Sequence, residues 1–306
     1  MRRYVLTSGL EALVAVWGVL TIVFIAARLT GDPAILLLPA GATPAQIAEL
    51  RHELGLGRPL WDQYTIFLVD AVRGDFGTSF QHHKPALDVV VERFPATIKL
   101  ALSALVMGTL LGLAAGMIAA LYRGTMIEFA AMTAALLGQA TPVFWLGIVL
   151  ILVFAVHLQW LPAAGSETIA HLVLPAITLA VFISAAIARL LRSSMIEVLN
   201  EDFVRTAWAK GLPPRIVYLR HAARAALTSV LTMLGIITGE LLGGAVIVET
   251  IFSWPGVGRV VVQAIEVKDF TVVQAAVALV STVFVMINLA VDLLYGMVDP
   301  RVRVER

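Results

Sequence analysis

Residues 97–121 read TIKLALSALVMGTLLGLAAGMIAAL, an apolar run whose charged side chain, Lys99, lies near its start. About 20 consecutive apolar residues form a helix long enough to cross the hydrocarbon core of a bilayer, which is about 30 Å thick. A lipid core offers no water to backbone N–H and C=O groups, so a helix satisfies them internally. The run therefore predicts a membrane-spanning helix.

Further apolar runs lie on both sides of this stretch, near residues 10–30, 129–158, 172–191, 227–250 and 272–298. Together they predict an all-α membrane protein with six spans. The composition agrees, since 59% of the residues are hydrophobic and 14% are charged, whereas about a quarter of the residues in a soluble domain carry charge. A soluble enzyme is excluded, and a chain with no cysteine excludes disulfides, thiolate nucleophiles and cysteine-based zinc sites.

Basic residues indicate which ends of the spans are cytoplasmic, because Lys and Arg are retained on the cytoplasmic side of a membrane. They precede the first run at Arg2 and Arg3, and they are densest between residues 189 and 224. We therefore expect both termini and the loop at about 193–224 to be cytoplasmic. The domain prediction is an N-terminal segment with an uncleaved first span (1–30), an extracytoplasmic segment of short helices (31–96) and a five-helix core (97–306).

Two sets of glycines recur every four residues within predicted spans. They are Gly108, Gly112 and Gly116 in the second span, and Gly235, Gly239 and Gly243 in the fifth. Small residues at this spacing let two helix backbones approach closely in lipid. Tight packing is one interpretation, and a stripe that also permits sliding between two conformations is the other.

Two carboxylates fall inside predicted spans, Glu240 beside the second glycine set and Asp292 in the last span. Ionisable residues in a membrane usually face protein or water. Glu240 is expected to contact another helix or to line a pathway, with a proton relay as the alternative. Neither an HExxH pairing nor a phosphate-binding loop occurs in the sequence, so we expect no metal and no cofactor on this chain.

The cytoplasmic loop contains a pattern typical of two short helices separated by a turn. Asp202 is placed to cap the first helix, Gly211 to end it, and Pro213-Pro214 to force a turn before the second. The pattern predicts a helical knob. Binding to nucleic acid is disfavoured because both ends of the knob are tethered to the bilayer, and contact with anionic lipid is an alternative role.

Within this loop, Arg205-Thr206-Ala207-Trp208-Ala209-Lys210-Gly211 resembles the coupling motif of permeases in ATP-binding-cassette (ABC) importers, although the widest form of that motif begins Glu-Ala-Ala. Other segments are similar to the dipeptide/oligopeptide/nickel permease family along the whole chain. They are Gly31-Asp32-Pro33, GDFGTS at 74–79, TPVFWLG at 141–147, Trp160-Leu161-Pro162, VETIFSWPGVGR at 248–259 and Asp299-Pro300-Arg301.

The resemblance implies a type I ABC importer permease that carries out no bond chemistry itself. Its expected partners are a second homologous permease in a heterodimer, two ATPase subunits that bind ATP and Mg²⁺, an extracytoplasmic solute-binding protein and the lipid of a bacterial inner membrane, with no nucleic acid.

The resemblance also assigns roles to particular residues. The first knob helix would lie in an ATPase groove, where Ala207 permits close approach and Arg205 and Lys210 bind groove carboxylates or helix ends. The full coupling set is Phe203, Arg205, Ala207, Lys210, Gly211 and Leu212. The set that would form the extracytoplasmic mouth, where the binding protein docks, is Trp254, Pro255, Gly256 and Gly258; an interfacial anchor is the alternative for that turn.

The cargo that the resemblance implies is a di- or oligopeptide. Nickel as a chelate, glutathione and opines remain open as alternatives for the same architecture. A stand-alone ion-coupled carrier is a hypothesis of a different class, and it predicts transport without ATPase partners and a strong dependence on Glu240 or Asp292.

Overall fold

The computed structural model describes residues 2–29, 38, 42–53 and 55–298. Twelve α-helices, with two π-helical segments that continue α6 and α9, account for most of the described chain. In order they are α1 (Arg2–Leu29), α2 (Pro44–Glu53), α3 (Leu60–Val72), α4 (Ala86–Leu121), α5 (Met126–Ala140), α6 (Val143–Leu150, then π-helical Ile151–His157), α7 (Ile169–Val198), α8 (Asp202–Ala209), α9 (Pro214–Ile216, then π-helical Val217–Ala222), α10 (Ala223–Ile251), α11 (Val257–Glu266) and α12 (Phe270–Val298).

The predicted spans are present as helices, with one correction. Within the described ranges, five helical segments are long and apolar enough to cross a membrane, and α5 with α6 makes a sixth if the bent pair counts as one span. The run 129–158 was expected to be one span, but the two helices meet at 104°. Pro142 disfavours the helical conformation at Thr141, which is extended with φ −77° and ψ 125°.

Residues 1–95 and 259–306 form one compact unit. Within it α1 packs along α12, and the ring of Phe24 on α1 lies 5.3 Å from Tyr64 and 5.4 Å from Phe67 on α3. The loop after α3 is bonded to the start of α12, because the buried Ser79 hydroxyl donates to the buried Asp269 carboxylate at 2.6 Å. Helix α3 and the loop after it are therefore held by specific aromatic and polar contacts.

Residues 96–258 form the second compact unit, whose core surrounds α7. The first glycine set lies against this helix. A Cβ at Gly108 would lie 2.6 Å from Cβ of Ile183, and one at Gly112 would lie 2.7 Å from Cβ of Ile187. The tight-packing interpretation is confirmed for this set, since such distances leave no room for a side chain.

The second glycine set has a different environment. Gly235 and Gly239 on α10 are buried, whereas Gly243 is exposed and a Cβ there would have no atom within 4 Å. The side chains of Glu240 and Asp292 lie outside what the structure describes, and so do the segments Gly31-Asp32-Pro33 and Asp299-Pro300-Arg301.

Candidate functional site

The knob predicted between the fourth and fifth spans consists of α8, a turn and α9. Helix α8 begins at Asp202. The residue before it, Glu201, is extended, with φ −70° and ψ 150°, and no side chain caps the helix. The expectation that Asp202 caps the helix is therefore wrong by one position. Its carboxylate instead accepts a 3.3 Å hydrogen bond from Arg205, an exposed pair that contributes little to stability.

The end of α8 matches the sequence prediction. The helix ends at Ala209, Lys210 is its C-cap residue, and Gly211 has φ +71°. A residue with a Cβ adopts this left-handed conformation at a cost, which glycine avoids. The turn then passes through extended Pro213, and Pro214 begins α9, as Pro commonly does at the first helical position.

A small apolar core of its own holds the knob together. Val204 and Ala207 of α8 pack against Val217, and all three are buried. The Ala207 side chain, to which the resemblance assigns close approach of a partner, is 5% exposed. Its small size lets α8 lie close to α9, and Leu212 packs partly buried against the same core.

The outer surface of α8 carries two large apolar side chains. Phe203 is 45% exposed and Trp208 is 41% exposed, with the Trp208 ring at 5.8 Å from Tyr218 in an edge-on arrangement. Arg205, Lys210 and Gly211 are exposed beside them. Sequence reasoning gave Trp208 no role, although an aromatic residue inside a basic loop between two spans was a signal for an exposed contact.

The knob follows directly from α7, which is continuous from Ile169 to Val198. Near the end of α7, Nε of Arg192 donates to Oε1 of Glu128 on α5 at 2.6 Å. The other carboxylate oxygen of Glu128 accepts the Gly124 N–H at 2.6 Å. The turn between α4 and α5 is thus bonded to the helix that carries the knob.

At the other end of this unit lies the turn 254–258, for which the sequence predicts an interfacial anchor or a docking mouth. Trp254 is 1% exposed, and its Nε1 donates to the Ala96 carbonyl at 2.9 Å. The Lys99 ammonium lies 5.8 Å from the centre of its ring. A buried tryptophan cannot anchor the chain at a lipid interface, so the anchor interpretation is wrong for this side chain.

A buried carboxylate beneath this turn escaped the sequence analysis. Glu249 is 0% exposed, and its Oε1 accepts a 2.6 Å hydrogen bond from the Thr97 hydroxyl, which in turn accepts the Val257 N–H at 2.8 Å. A Cβ at Gly256 would overlap the Glu249 carboxylate, and one at Gly258 would lie 2.9 Å from it. The two glycines of the predicted mouth therefore make room for a buried acid.

Comparison with known families gives this arrangement a context. Residues 112–304 match the model described as the binding-protein-dependent transport system inner membrane component. The chain belongs to this family. Residues 1–101 match the model of the N-terminal part of the same kind of membrane component, so the permease resemblance extends over both compact units.

Individual relatives agree with the family. The chain is 40% identical over 304 residues to the glutathione transport system permease protein GsiC of Escherichia coli strain K12, covering 99% of each chain. It is 40% identical over 301 residues to the dipeptide transport system permease protein DppB of Alkalihalophilus pseudofirmus, covering 89% of this chain and 90% of that one.

A solved structure supports the permease fold. A crystal structure of an amino acid ABC transporter with histidines matches 70% of this chain and 94% of its own, with a TM-score of 0.52 and 18% identity. The protein is an ABC permease subunit of the inner membrane, a translocation component rather than an enzyme. Its family works with ATPase subunits, a solute-binding protein and a partner permease.

Proposed function

We propose that this permease imports short peptides, glutathione included, and that the knob of α8 and α9 receives the movement of a partner ATPase. The observation that carries the coupling role is the construction of the knob. A buried core of Val204, Ala207 and Val217 makes it rigid, while Phe203 and Trp208 remain exposed on it. Exposed aromatic side chains on a rigid element are typical of binding anchors.

Charge and backbone geometry support the same role. Arg205 and Lys210 are exposed next to the aromatic pair, where they offer charge-assisted hydrogen bonds to carboxylates of a groove. No atom lies within 4 Å of a Cβ built on Gly211, so the turn presents bare backbone to a partner. A movement of the ATPase groove that holds the knob would move α7 and α10 together, since both helices adjoin the knob.

The proposed assembly contains two homologous permeases in a heterodimer, two ATPase subunits that bind ATP and Mg²⁺, and an extracytoplasmic binding protein. Both termini of this chain are cytoplasmic in this proposal, in line with the basic residues near the knob and at Arg2 and Arg3. The mouth then lies near the turn at Trp254, and the exposed Gly243 on α10 offers a smooth surface to the second permease.

The cargo proposal rests on the relatives. One is named as a glutathione permease and another as a dipeptide permease, at equal identity to this chain. Glutathione is itself a tripeptide, so both names describe short zwitterionic peptides with charged termini. Peptides are therefore the class that the two relatives share.

A matched pair of glycines tests the coupling role. Gly211 has φ +71° and Gly124 has φ +78°, and a Cβ at either has no atom within 4 Å. Asparagine tolerates this conformation, so Gly211→Asn and Gly124→Asn add the same side chain at equal backbone cost. We expect Gly211→Asn to reduce binding-protein-dependent uptake in proteoliposomes at least tenfold and Gly124→Asn to leave it within twofold of wild type.

Equal uptake by the two variants would contradict the coupling role.

The cargo is tested separately in cells that lack only this chain, by measuring uptake of labelled glutathione, a labelled dipeptide and labelled nickel. We expect loss of peptide uptake and its recovery with the wild-type chain. Loss of nickel uptake alone would overturn the cargo proposal and leave the coupling role intact.

A further inference from the structure

Helix α3 contacts α1 inside the stretch of α1 that is long and apolar enough to cross a membrane, Gly9–Leu29. The Tyr64 hydroxyl of α3 lies 2.7 Å from the Thr21 hydroxyl, and the Tyr64 ring lies 5.3 Å from the ring of Phe24. Thr21 precedes the end of the stretch by eight residues, or about 12 Å along a helix. The contact therefore lies deeper in the bilayer than the end of this span.

The polar groups at this contact are paired without water. Thr21 donates its hydroxyl proton to the Trp17 carbonyl of α1 at 2.8 Å, so the Tyr64 hydroxyl is the donor in the bond between the two side chains. A polar group without a partner is costly in hydrocarbon. The contact between α1 and α3 is thus suited to a site from which lipid excludes water.

A second side of α3 carries exposed apolar side chains. Trp61, Thr65, Val69 and Val72 follow one another at the spacing i, i+4, i+8 and i+11, which places them on one side of a helix. Trp61 is 71% exposed, Val69 50% and Val72 88%. The Thr65 hydroxyl donates to the Asp62 carbonyl of the same helix at 3.0 Å. These four residues, the α3 stripe, therefore present an apolar surface whose one hydroxyl is bonded within the helix.

Charged side chains lie around the α3 stripe rather than within it. Asp70 lines a cavity of this unit, and Asp62 lies in the first turn of α3, where the helix N-terminus stabilises negative charge. The exposed Arg58 and Arg73 flank the two ends of the helix. Long basic side chains at such positions reach lipid phosphates. The pattern is typical of an amphipathic helix that lies at the boundary between headgroups and acyl chains, where tryptophan is also enriched.

The exposed apolar surface of α1 reaches the same depth. Ile22 and Ile25 are 67% and 47% exposed, and they directly follow Thr21 and Phe24, which contact α3. Interfacial helices bury their apolar side about 5–10 Å into the boundary region, close to the depth of about 12 Å at which Tyr64 meets Thr21. Lipid that surrounds α1 at this depth therefore also reaches α3.

We infer that α3 is embedded in the leaflet of the bilayer at the C-terminal end of α1, with the α3 stripe against acyl chains and Arg58 and Arg73 at the level of lipid phosphates. The occupant of the stripe is phospholipid, because the span itself sets the depth of the contact between Tyr64 and Thr21. In the proposed orientation this is the extracytoplasmic leaflet. The inference goes beyond the proposed function, since it assigns a lipid contact to the segment between the first two spans and does not depend on the cargo.

Fluorescence quenching of a label on α3 tests this depth. The chain has no cysteine, so Trp61→Cys and Val69→Cys each give a single site for bimane. The complete permease–ATPase complex, with no cysteine in its other subunits, is placed in nanodiscs of phosphatidylcholine with or without bromine on the acyl chains, and iodide is the aqueous quencher. Ile25→Cys on α1 is the control for lipid, and Gln81→Cys, exposed in the loop between α3 and α4, is the control for water.

We expect brominated lipid to quench bimane at Trp61→Cys and at Val69→Cys at least threefold more strongly than at Gln81→Cys, and iodide to show the reverse order. Lipid quenching at either stripe position that is no stronger than at Gln81→Cys would overturn the inference. Weak quenching of both stripe positions by lipid and by iodide, with strong lipid quenching at Ile25→Cys, would overturn it in favour of a protein partner that covers the α3 stripe.

Discussion

At the residue scale, the best-defined polar site is the contact among Thr97, Glu249 and Val257. The Thr97 hydroxyl joins the buried Glu249 carboxylate to the backbone of the turn at Val257, donating at 2.6 Å and accepting at 2.8 Å. Burial of a carboxylate without hydrogen bonds is costly. Thr97 therefore contributes to stability through two groups that would otherwise lose a buried partner.

We predict that Thr97→Val destabilises the protein, because the substitution keeps the shape of the side chain and removes both hydrogen bonds. Each buried group left without its partner costs about 1–3 kcal/mol. The matched control is Thr250→Val, since Thr250 is exposed on α10 and its hydroxyl donates to the Val246 carbonyl of its own helix. Thermal unfolding in detergent should show a lower Tm for Thr97→Val, and equal Tm values for the two variants would count against the role of Thr97.

At the element scale, the packing of α4 on α7 depends on the absence of side chains. The glycine set at 108, 112 and 116 admits the backbone and side chains of α7, including Ile183 and Ile187. The exposed Gly243 on α10 makes no such contact. The same residue type at the same spacing thus has two different environments.

We predict that Gly112→Ala destabilises the permease by about 1–3 kcal/mol, the usual effect of overpacking a filled contact. Gly243→Ala places the same methyl group on a helix with no neighbour within 4 Å, so the stability of the separate chain should remain within about 0.5 kcal/mol of wild type. The measurement is thermal unfolding of the purified chains. A Gly112→Ala variant as stable as Gly243→Ala would show that α4 and α7 are not in tight contact.

The sequence predicted those features of the elements that depend on local pattern. Apolar runs located the spans, the four-residue glycine repeat located the contact of α4 with α7, and Gly211 marked the end of α8. The bend at Thr141-Pro142 was missed because both sides of it are equally apolar, and hydropathy does not register a change of direction. Glu249 was missed because its partner, Thr97, lies 152 residues away, and the burial of Trp254 was missed because its partner, the Ala96 carbonyl, lies 158 residues away.

At the scale of the whole molecule, the knob is joined to several spans of the unit formed by residues 96–258. The continuous helix α7 leads to α8, and the Arg192–Glu128 contact joins α7 to the turn before α5. A movement of the knob would therefore pass to several spans at once. In the proposed coupling, packed helices and hydrogen bonds of this kind transmit the movement.

We predict that Arg192→Gln lowers the amount of peptide imported per ATP hydrolysed, because the link between α7 and α5 loses its ionic hydrogen bonds. Arg189→Gln is the matched control, as Arg189 is exposed on the same helix. Uptake and hydrolysis measured in the same proteoliposomes give the ratio. A ratio at least twofold lower for Arg192→Gln alone is expected, and an unchanged ratio would contradict a role for this contact in coupling.

Site-directed cross-linking tests the central claim, that the knob contacts an ATPase subunit, most directly. The chain has no cysteine, so Arg205→Cys on α8 gives a single reactive position, and Glu266→Cys at the end of α11 gives a matched exposed control. With a thiol-to-amine cross-linker applied to inverted membrane vesicles, we predict a cross-linked product of the permease and an ATPase subunit from Arg205→Cys and none from Glu266→Cys. Cross-linking of the ATPase to Glu266→Cys, with none to Arg205→Cys, would contradict it.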